Sequence, residues 1–343
     1  MSGLRTLVVG FGQVASGLTR DARMAQYFDY ASHAAVLAAH PAFDWQGVVD
    51  PNAAAQADAR DTWGVPHCGG DLDEIIAKVR PEIAILAAPP GDRAKAVAAM
   101  PDLKAVLVEK PLNSPGTGER NGDGAALRAV CAERNLPVLV NYWRRADRLF
   151  QALAAGGLAE HVGSPQAVFG LYGNGLANNG GHLIDFLRML LGEVVAAQAL
   201  GPDETAMGAP ITGDRHLPFA LTFADGPVAT LQPLDFRRYR EVGLDIWGDG
   251  GRLSIVQEGL VTRLFPLTEN RGVTGENEIA SDAGIELERT VADSLYRMYD
   301  NLAKTAAGSA MPWSPLESAL TNERIIEAIL RSAAEDGARQ SLV

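Results

Sequence analysis

The chain has 343 residues, a length that usually folds as one large domain or two domains of moderate size. Hydrophobic residues make up 47% of the chain and charged residues 21%, a balance that excludes an intrinsically disordered protein. The 42 acidic residues outnumber the 30 basic ones, and the net charge of -12 disfavours nonspecific binding to nucleic acid or to an anionic membrane.

Residues 1–145 alternate short β-branched apolar runs with longer Ala-rich patterns, which predicts a parallel sheet covered by helices. Two Pro-containing turns, Ala87-Ala-Pro-Pro-Gly and Glu109-Lys-Pro-Leu, follow predicted strands at the sheet edge where ligands bind in open α/β folds. The predicted strands cover residues 4–9, 45–49, 83–87, 105–108 and 138–141, and the predicted helices cover 14–40, 52–62, 71–79, 92–99 and 122–134.

A glycine-rich segment with the pattern G-x-G-x-x-A comes directly after the first predicted strand. Gly10 allows a tight turn, Gly12 lets the backbone approach a pyrophosphate, and Ala15 permits close packing of a following helix whose N-terminus would face the phosphates. The segment therefore predicts a dinucleotide-binding loop. Its candidate cofactor contacts are Gly10, Phe11, Gly12, Gln13 and Val14.

Asp50, which is followed by Pro51, ends the second predicted strand, where an acidic residue takes the ribose hydroxyls of a dinucleotide. Its spacing from the glycine loop exceeds the usual value by about fifteen residues, which an enlarged first crossover explains. Asp29 and Asp44 fit less well because neither ends a strand. A carboxylate repels a 2′-phosphate, so NAD is preferred over NADP; an ordinary turn-forming role for Asp50 is the alternative.

Lys110 ends the fifth predicted strand and is thereby expected at the cofactor edge of the sheet. An ammonium group at this place can hydrogen-bond a substrate hydroxyl or carbonyl and stabilise developing alkoxide charge. A solvated lysine is the alternative, and the neighbouring glycine loop favours the functional role.

The second half reads as an α+β domain whose closely spaced strands form an antiparallel meander. Its apolar strand residues suggest a sheet face that another subunit covers. The predicted strands are 219–223, 228–233, 239–247 and 252–257, and the apolar strand residues are Leu221, Val228, Leu244 and Ile246. The predicted helices are 180–191, 287–307 and 315–334. One of the last two helices can pack back on the first domain.

The helix predicted over 180–191 carries the strongest chemical signal of the second half. Asn178 or Asn179 is expected to cap this helix, which ends at Gly192. His182 and Asp185 are three residues apart and are expected side by side, so that the carboxylate orients an imidazole acting as general acid and base. A capping or packing role for His182 is the alternative.

The order and spacing of these motifs resemble the Gfo/Idh/MocA oxidoreductases over nearly the whole chain. The motifs are the glycine loop, Asp50, Ala88-Pro-Pro, Glu109-Lys-Pro, Asn141-Tyr-Trp-Arg-Arg and Gly181-His-Leu-Ile-Asp. The resemblance implies a Rossmann domain over 1–145 and a domain over 146–343 with a large, mostly antiparallel open sheet. It implies hydride transfer between a nicotinamide and a sugar, cyclitol or nucleotide-linked sugar, in glycan biosynthesis for some members.

The resemblance also implies roles for individual residues. Lys110 and His182 form the catalytic pair, and Asp185 supports the histidine. Ala88, Pro89, Glu109 and Lys110 add to the cofactor contacts, and Tyr142, Arg145, Asn178 and His182 are the candidate substrate contacts; Arg144, Arg237, Arg238 and Arg240 are further candidates for an acidic ligand. The sheet implies a homodimer or homotetramer.

Two departures from the family pattern are visible. Asn178 stands where family dehydrogenases often have an aspartate, and Gly91-Asp-Arg stands where a histidine often follows the Pro-Pro turn. Two alternatives to the dehydrogenase reading therefore remain. One is elimination or hydrolysis of a sugar through transient oxidation by tightly bound NAD, and the other is a non-catalytic dinucleotide-binding sensor.

The remaining features concern compartment and partners. Cys68 and Cys131 lie far apart without a Cys-x-x-Cys partner, so core thiols in a reducing compartment are expected. No signal-peptide pattern and no bilayer-length apolar run is found, which predicts a cytoplasmic protein without a membrane partner. No histidine spacing suggests a metal site, and no basic stripe suggests a nucleic-acid partner.

Overall fold

The computed structural model describes residues 3–114, 122–282 and 284–342. The chain divides into two compact units. The first unit comprises Met1–Ala146 and Ala292–Thr321, and the second comprises Asp147–Val291 and Asn322–Val343. The chain therefore builds most of the first unit, forms the second, and returns to the first before it ends in the second.

Six parallel strands form the sheet of the first unit, in the order β3-β2-β1-β4-β5-β6. The strand order reverses between β1 and β4, and such a reversal opens a crevice at the carboxyl ends of the strands. The strands are β1 (Leu4–Val9), β2 (Phe43–Val49), β3 (His67–Gly69), β4 (Ile83–Leu86), β5 (Ala105–Val108) and β6 (Val138–Val140). All but β3 were predicted, with bounds that differ by at most two residues.

Two apolar clusters cover the two faces of this sheet, because alternate residues of each strand point to opposite sides. Leu7 packs in one cluster and its neighbour Val8 in the other. The flanking helices are α1 (His33–Ala39), α2 (Ala53–Asp61), α3 (Leu72–Val79), α4 (Arg93–Ala98) and α5 (Asp123–Glu133). The predicted Rossmann architecture is thereby confirmed.

The long helix predicted over 14–40 is wrong. Short 3₁₀ turns cover Gly17–Arg20 and Met24–Gln26, and a regular helix begins only at His33. Ser32 caps that helix, since its Oγ accepts a hydrogen bond from Ala35 N at 3.3 Å. Hydroxyl side chains in the preceding segment bind to other side chains, Ser16 to Asp58 and Thr19 to Ser32.

The second unit contains three helices and most of its strands before residue 292. Helix α8 ends at Gly192, as predicted, where φ is 89°. The helices are α6 (Arg148–Ala152), α7 (Leu158–Val162) and α8 (Gly181–Leu191). The strands are β7 (Pro165–Tyr172), β8 (Val194–Ala199), β9 (Glu204–Thr205), β10 (Arg215–His216), β11 (Phe219–Phe223), β12 (Val228–Pro233), β13 (Gly243–Gly248), β14 (Gly251–Val256), β15 (Val261–Glu269), β16 (Asn277–Ile279) and β17 (Ile285–Glu286).

The closing part of the chain contains α9 (Ser294–Ala306), α10 (Leu316–Ala334) and β18 (Gln340–Ser341). Helix α9 starts seven residues later than the 287 predicted, while α10 is shifted by one residue at its start. Within the described residues, no helix combines the length and the apolarity needed to cross a membrane.

The large sheet of the second unit is mostly antiparallel, as predicted, and has the order β16-β15-β14-β13-β7-β12-β11-β8-β18, with β17 beside β15. The predicted simple meander is wrong at its centre. Strand β7 lies between β12 and β13, parallel to the first and antiparallel to the second. A partner strand so distant in sequence cannot be identified from a local pattern.

One face of this sheet packs against α8. A Cβ on Gly170 would lie 3.2 Å from Leu183 Cδ2, so the helix side chain rests directly on the strand backbone. The expectation of an apolar open face at Leu221, Leu244 and Ile246 is wrong, because these residues point to the covered side and are at most 2% exposed. The exposed apolar residues of this sheet include Phe169, Leu171 and Val228.

Candidate functional site

The glycine loop begins where β1 ends, at the reversal of the strand order. Gly10 adopts a φ of 88°, and a Cβ there would lie 2.4 Å from Ala88 N. The turn after β4 thus passes directly against Gly10, and only glycine leaves room for it. At Gly12, by contrast, no atom of the described residues other than Gly12 and its two chain neighbours lies within 4 Å of the position that a Cβ would take.

The loop is followed by turns rather than by the expected helix. Ser16 N donates to Gly12 O at 3.0 Å, and Leu18 N donates to Gln13 O at 2.9 Å. Helix α1 instead docks at the far end of the loop, where Ala34 N donates to Ala15 O at 2.8 Å. The predicted role of a helix N-terminus at the phosphates is therefore wrong, and Gly12, Gln13 and Val14 present an exposed turn instead.

Asp50 lies against the glycine loop despite its long spacing in sequence. Its Oδ2 accepts a hydrogen bond from Phe11 N at 2.7 Å, and its Oδ1 accepts one from Asn52 N at 2.8 Å. Pro51 is exposed beside it. Asp44 is engaged elsewhere, since its Oδ1 accepts from Gln46 Nε2 at 2.6 Å. Of the three aspartates considered, Asp50 is the one whose carboxylate adjoins the loop.

A buried arginine joins the turns after β4 and β5. Arg93 is 4% exposed, and its Nη2 and Nη1 donate to Ala88 O at 2.6 Å and to Pro111 O at 2.8 Å. Arg93 therefore holds the Ala88–Pro89 turn beside the Lys110–Pro111 turn. This role of Arg93 was not predicted from the sequence. It could have been suspected because Arg93 is a cation in the first turn of α4, where the helix dipole disfavours positive charge.

Glu109 and Lys110 follow β5 but face different surroundings. Lys110 is half-buried, whereas Glu109 is buried and its Oε1 accepts hydrogen bonds from His33 Nε2 at 3.0 Å and Asn141 Nδ2 at 2.5 Å. Burial by itself would raise the pKa of the Glu109 carboxyl, but the interactions with His33, Lys110 and Asn141 outweigh it and lower that pKa. The Glu109 side chain, a predicted cofactor contact, thus has partners inside the protein.

The candidate substrate residues of the first unit follow β6. Tyr142 is 2% exposed and packs in one of the two apolar clusters of that unit. Residues Trp143–Ala146 form a 3₁₀ turn, in which the Arg144 guanidinium lies 4.3 Å from the centre of the Trp143 ring. Arg145 is half-buried, and its N–H donates to Tyr142 O at 3.0 Å.

In the second unit, Asn178 and His182 flank the beginning of α8. The predicted capping by Asn178 or Asn179 is wrong. A π-helical turn over Leu176–Gly180 leads into the helix, and the cap residue is Gly180, which has no side chain that could accept a hydrogen bond. The backbone N–H groups of Ala177 and Asn178 donate to the two oxygens of Asp214, at 2.9 and 3.0 Å. A carboxylate distant in sequence thus replaces the predicted local cap.

Asp185 lies on the buried side of α8. It is 1% exposed, and its Oδ1 accepts a hydrogen bond from Asn322 Nδ2 at 2.9 Å. Asn322 Oδ1 in turn accepts from Arg188 Nη1 at 2.7 Å. Asp185 therefore joins α8 to α10, and His182 is half-buried one turn before it.

Other arginines proposed for an acidic ligand have acidic neighbours of their own. Arg237 Nη2 lies 2.8 Å from Asp235 Oδ2, which lowers the pKa of Asp235 to about 2. Arg240 pairs with Glu258. Across residues 3–114, 122–282 and 284–342, no group of three His, Cys, Asp or Glu side chains could hold a metal ion.

Solved structures that resemble this chain cover nearly its full length. They include an oxidoreductase from Agrobacterium radiobacter (15% identity, TM-score 0.72, 98% of this chain and 98% of that chain). They also include the WlbA dehydrogenase from Bordetella pertussis (19%, 0.70, 99% and 99%) and an NAD-binding oxidoreductase from Klebsiella pneumoniae (15%, 0.70, 100% and 100%). At these identities the likeness shows the fold. None of the curated proteins matches the sequence.

A match to a protein family lies in the first unit. Residues 4–142, from β1 to the residue after Asn141, match the model of an oxidoreductase family with an NAD-binding Rossmann fold. The match spans the glycine loop, Asp50 and Glu109-Lys-Pro, so the predicted family, enzyme class and NAD-binding fold are confirmed. Over this region the chain matches the Gfo/Idh/MocA oxidoreductases, the family that the motifs predicted.

Proposed function

We propose that the protein transfers a hydride reversibly between NAD and a carbinol or keto carbon of a sugar, cyclitol or nucleotide-linked sugar. The observation that carries this proposal is the contact of Asp50 with the glycine loop at the reversal of the strand order. In this proposal the first unit binds the cofactor and the second binds the substrate. The sequence predicted these roles for residues 1–145 and 146–343, and residues 292–321 lie in the first unit.

The residues around the loop fit a dinucleotide. A Cβ at Gly12 would occupy the open space into which a pyrophosphate can approach the backbone. The Asp50 carboxylate is positioned for ribose hydroxyls and would repel a 2′-phosphate, which favours NAD over NADP. When bound, NAD supplies the group that accepts or donates the hydride.

Lys110 and His182 divide the proton chemistry in this proposal. The Lys110 ammonium hydrogen-bonds the oxygen of the reacting carbon and stabilises its negative charge as the carbonyl is reduced or the alkoxide forms. The His182 imidazole takes the hydroxyl proton during oxidation and returns it during reduction. Asp185 acts on His182 by fixing the orientation of α8 through Asn322. Asn178 binds a substrate hydroxyl through its amide. It takes no part in proton transfer, because an amide cannot relay a proton.

The proposed substrate class includes acidic and nucleotide-linked sugars. The Bordetella pertussis neighbour was solved with NADH and UDP-GlcNAcA, and the Agrobacterium radiobacter neighbour with NAD+, L-tartaric acid and magnesium. Both organic ligands are anionic. Arg145, with Tyr142 before it, is the proposed group for such a carboxylate or phosphate, since a guanidinium binds either one with two parallel hydrogen bonds.

The first experiment titrates the protein with NADH and NADPH, following energy transfer from tryptophan to nicotinamide, and then screens sugars and nucleotide sugars for turnover. We expect saturable binding with a lower Kd for NADH. Lys110→Met should still bind NADH saturably and lose turnover by about a hundredfold or more. Lys104→Met is the matched control, because Lys104 lies at the opposite end of β5 and pairs with Glu82 at 2.7 Å.

The same experiment separates the competing functions. Absence of binding by either nucleotide would overturn the proposal. Conversion of a sugar without net change in NADH would indicate elimination or hydrolysis through transient oxidation. Binding that survives Lys110→Met and His182→Asn, with no turnover in any protein, would indicate a sensor.

We also propose that the sheet of the second unit forms a homodimer or homotetramer through the face opposite α8. Phe169 and Val228 are 54% and 51% exposed on that face, and apolar groups of this size are normally covered. A cytoplasmic location is part of the proposal, supported by two unbonded cysteines, Cys68 and Cys131.

A further inference from the structure

Four buried polar side chains form a continuous hydrogen-bonded chain that includes Glu109, the residue directly before Lys110. Tyr299 Oη lies 2.8 Å from His33 Nδ1, and His33 Nε2 lies 3.0 Å from Glu109 Oε1. Asn141 Nδ2 donates to the same oxygen at 2.5 Å. His33, Tyr299 and Asn141 are at most 6% exposed, like Glu109 itself, so water does not compete for these bonds.

When His33 is neutral, the hydrogen bonds have one consistent direction. Ionised Glu109 accepts at Oε1, so the proton of a neutral His33 lies on Nε2. Burial raises the pKa of Tyr299 well above its usual value, so its phenol keeps a proton to donate to Nδ1. One neutral tautomer of the imidazole therefore satisfies both of its neighbours.

The hydrogen-bonded chain joins four segments of the first unit. His33 is the first residue of α1, Tyr299 lies in α9, and Glu109 and Asn141 each directly follow a sheet strand. The ring centres of His33 and Tyr299 are 5.9 Å apart, and Tyr299 packs edge-on against Phe43 at 5.3 Å. Packing thus holds the rings of Tyr299 and His33 in place, and His33 in turn holds the Glu109 carboxylate by a hydrogen bond.

A buried carboxylate is costly, and apolar residues of similar size usually stabilise a core at least as well. Glu109 directly precedes Lys110 in the sequence, which suggests that the buried carboxylate acts on the Lys110 ammonium. The charge of Lys110 acts on Glu109, and by reciprocity the carboxylate acts on the ammonium. Glu109 N also donates to Leu86 O at 2.9 Å, which holds the turn to β4.

We propose that Glu109 and His33 are positioning residues for Lys110. The buried chain Tyr299–His33–Glu109–Asn141 holds the turn that presents Lys110 and keeps one negative charge beside its ammonium. Neither residue touches the substrate in this proposal; both act through Lys110. The inference rests on the proposed function only in so far as Lys110 is taken as catalytic.

The charge is tested with Glu109→Gln in the full chain. Glutamine can keep an oxygen in the place of Oε1, which accepts both hydrogen bonds, while it removes the charge and puts an NH2 group in the place of Oε2. Competitive acetylation across the alkaline pH range measures the pKa of the Lys110 amine, with Lys104 as the reference in the same sample. We expect the Lys110 pKa to fall by about 1 unit in Glu109→Gln. An unchanged Lys110 curve in the folded variant would overturn the proposal.

The imidazole is tested separately, which also serves if Glu109→Gln does not fold. His33→Ala should accelerate amide hydrogen exchange in the peptide containing Glu109 and Lys110 by about tenfold, with β1 as the reference peptide. His33→Gln should restore slow exchange, because its amide nitrogen can take the place of Nε2 as the donor to Glu109. Equal exchange in the two variants, or no acceleration in His33→Ala, would contradict a positioning role.

Neither measurement needs a substrate, so failure of the proposed function leaves both results interpretable. If turnover is found, Glu109→Gln should lower kcat by about tenfold or more while the Kd of NADH stays unchanged. A loss confined to thermal stability, with kcat and the Lys110 pKa unchanged, would mean that the buried chain is only structural.

Discussion

Arg93 is a single side chain that organises two turns at the proposed cofactor edge. Its planar guanidinium donates to Ala88 O and Pro111 O, two carbonyls that follow neighbouring strands. A lysine has the same charge but cannot reach two carbonyls with the fixed fork of a guanidinium. The geometry of the turns is thus tied to the shape of one residue as well as to its charge.

Arg93→Lys should weaken NADH binding by about tenfold and lower the free energy of unfolding by about 1–3 kcal/mol, because one carbonyl loses its charged donor. Titration with NADH and urea unfolding measure the two effects. Arg134→Lys is the matched control: Arg134 binds Val97 O and Met100 O, each at 2.8 Å, at the other end of α4. It should lose stability and keep NADH affinity. Equal NADH affinities in both variants would refute the role of Arg93.

Helix α1 shows how an element can be set by its two ends. It begins with Ser32 as cap and ends at His40, whose imidazole is buried against the rings of Phe43 and Tyr296 at 4.9 and 4.6 Å. His40 Nδ1 accepts from Ala42 N at 3.2 Å, so Nε2 carries the proton that faces Asp300. Protonation of Nδ1 would break the bond to Ala42.

Burial lowers the pKa of His40 more than its hydrogen bond and charge interaction with Asp300 raise it. The unfolded chain therefore takes up a proton at higher pH than the folded protein does. The stability contribution is complete above pH ~6.5 and is lost as the pH falls toward the lowered folded pKa.

We expect the melting temperature to fall between pH 7 and pH 5.5, and less steeply in His40→Asn, whose Oδ1 can still accept from Ala42. Calorimetry or circular dichroism at several pH values measures this slope. His216, whose pKa burial also lowers, should account for part of the remaining slope. Parallel curves for the two proteins would count against His40.

The open face of the second unit's sheet is a feature of the whole molecule. Phe169 and Leu171 alternate with the buried residues Val168, Gly170 and Tyr172 along β7, so one strand contributes to both faces. The covered side is occupied by α8. The other side combines exposed apolar residues with the Arg252–Asp245 ion pair, whose atoms are 2.6 Å apart.

Phe169→Asp should convert the proposed oligomer to a monomer, because it places a charge in an apolar contact. Light scattering at micromolar concentration measures the mass. Met311→Asp is the control, since Met311 is 82% exposed in the first unit. A wild-type protein that is already monomeric, or a Phe169→Asp oligomer, would contradict the proposed interface.

Local patterns in the sequence determined the elements and the cofactor edge. Alternation of apolar runs placed five of the six strands of the first unit, the glycine spacing located the loop, and the end of the second strand marked Asp50, whose carboxylate adjoins that loop. These features depend on neighbours along the chain, such as side-chain period and backbone freedom at glycine, which a sequence records directly.

Only the tertiary structure decided which distant residues meet. Tyr299 bonds to His33 across 266 residues, Asn322 bonds to Asp185 across 137, and β7 enters the sheet between strands that follow it. The enlarged first crossover also forms short 3₁₀ turns before α1 in place of the long helix predicted. Such pairings are selected by the packing of whole elements, and no short stretch of sequence contains both partners.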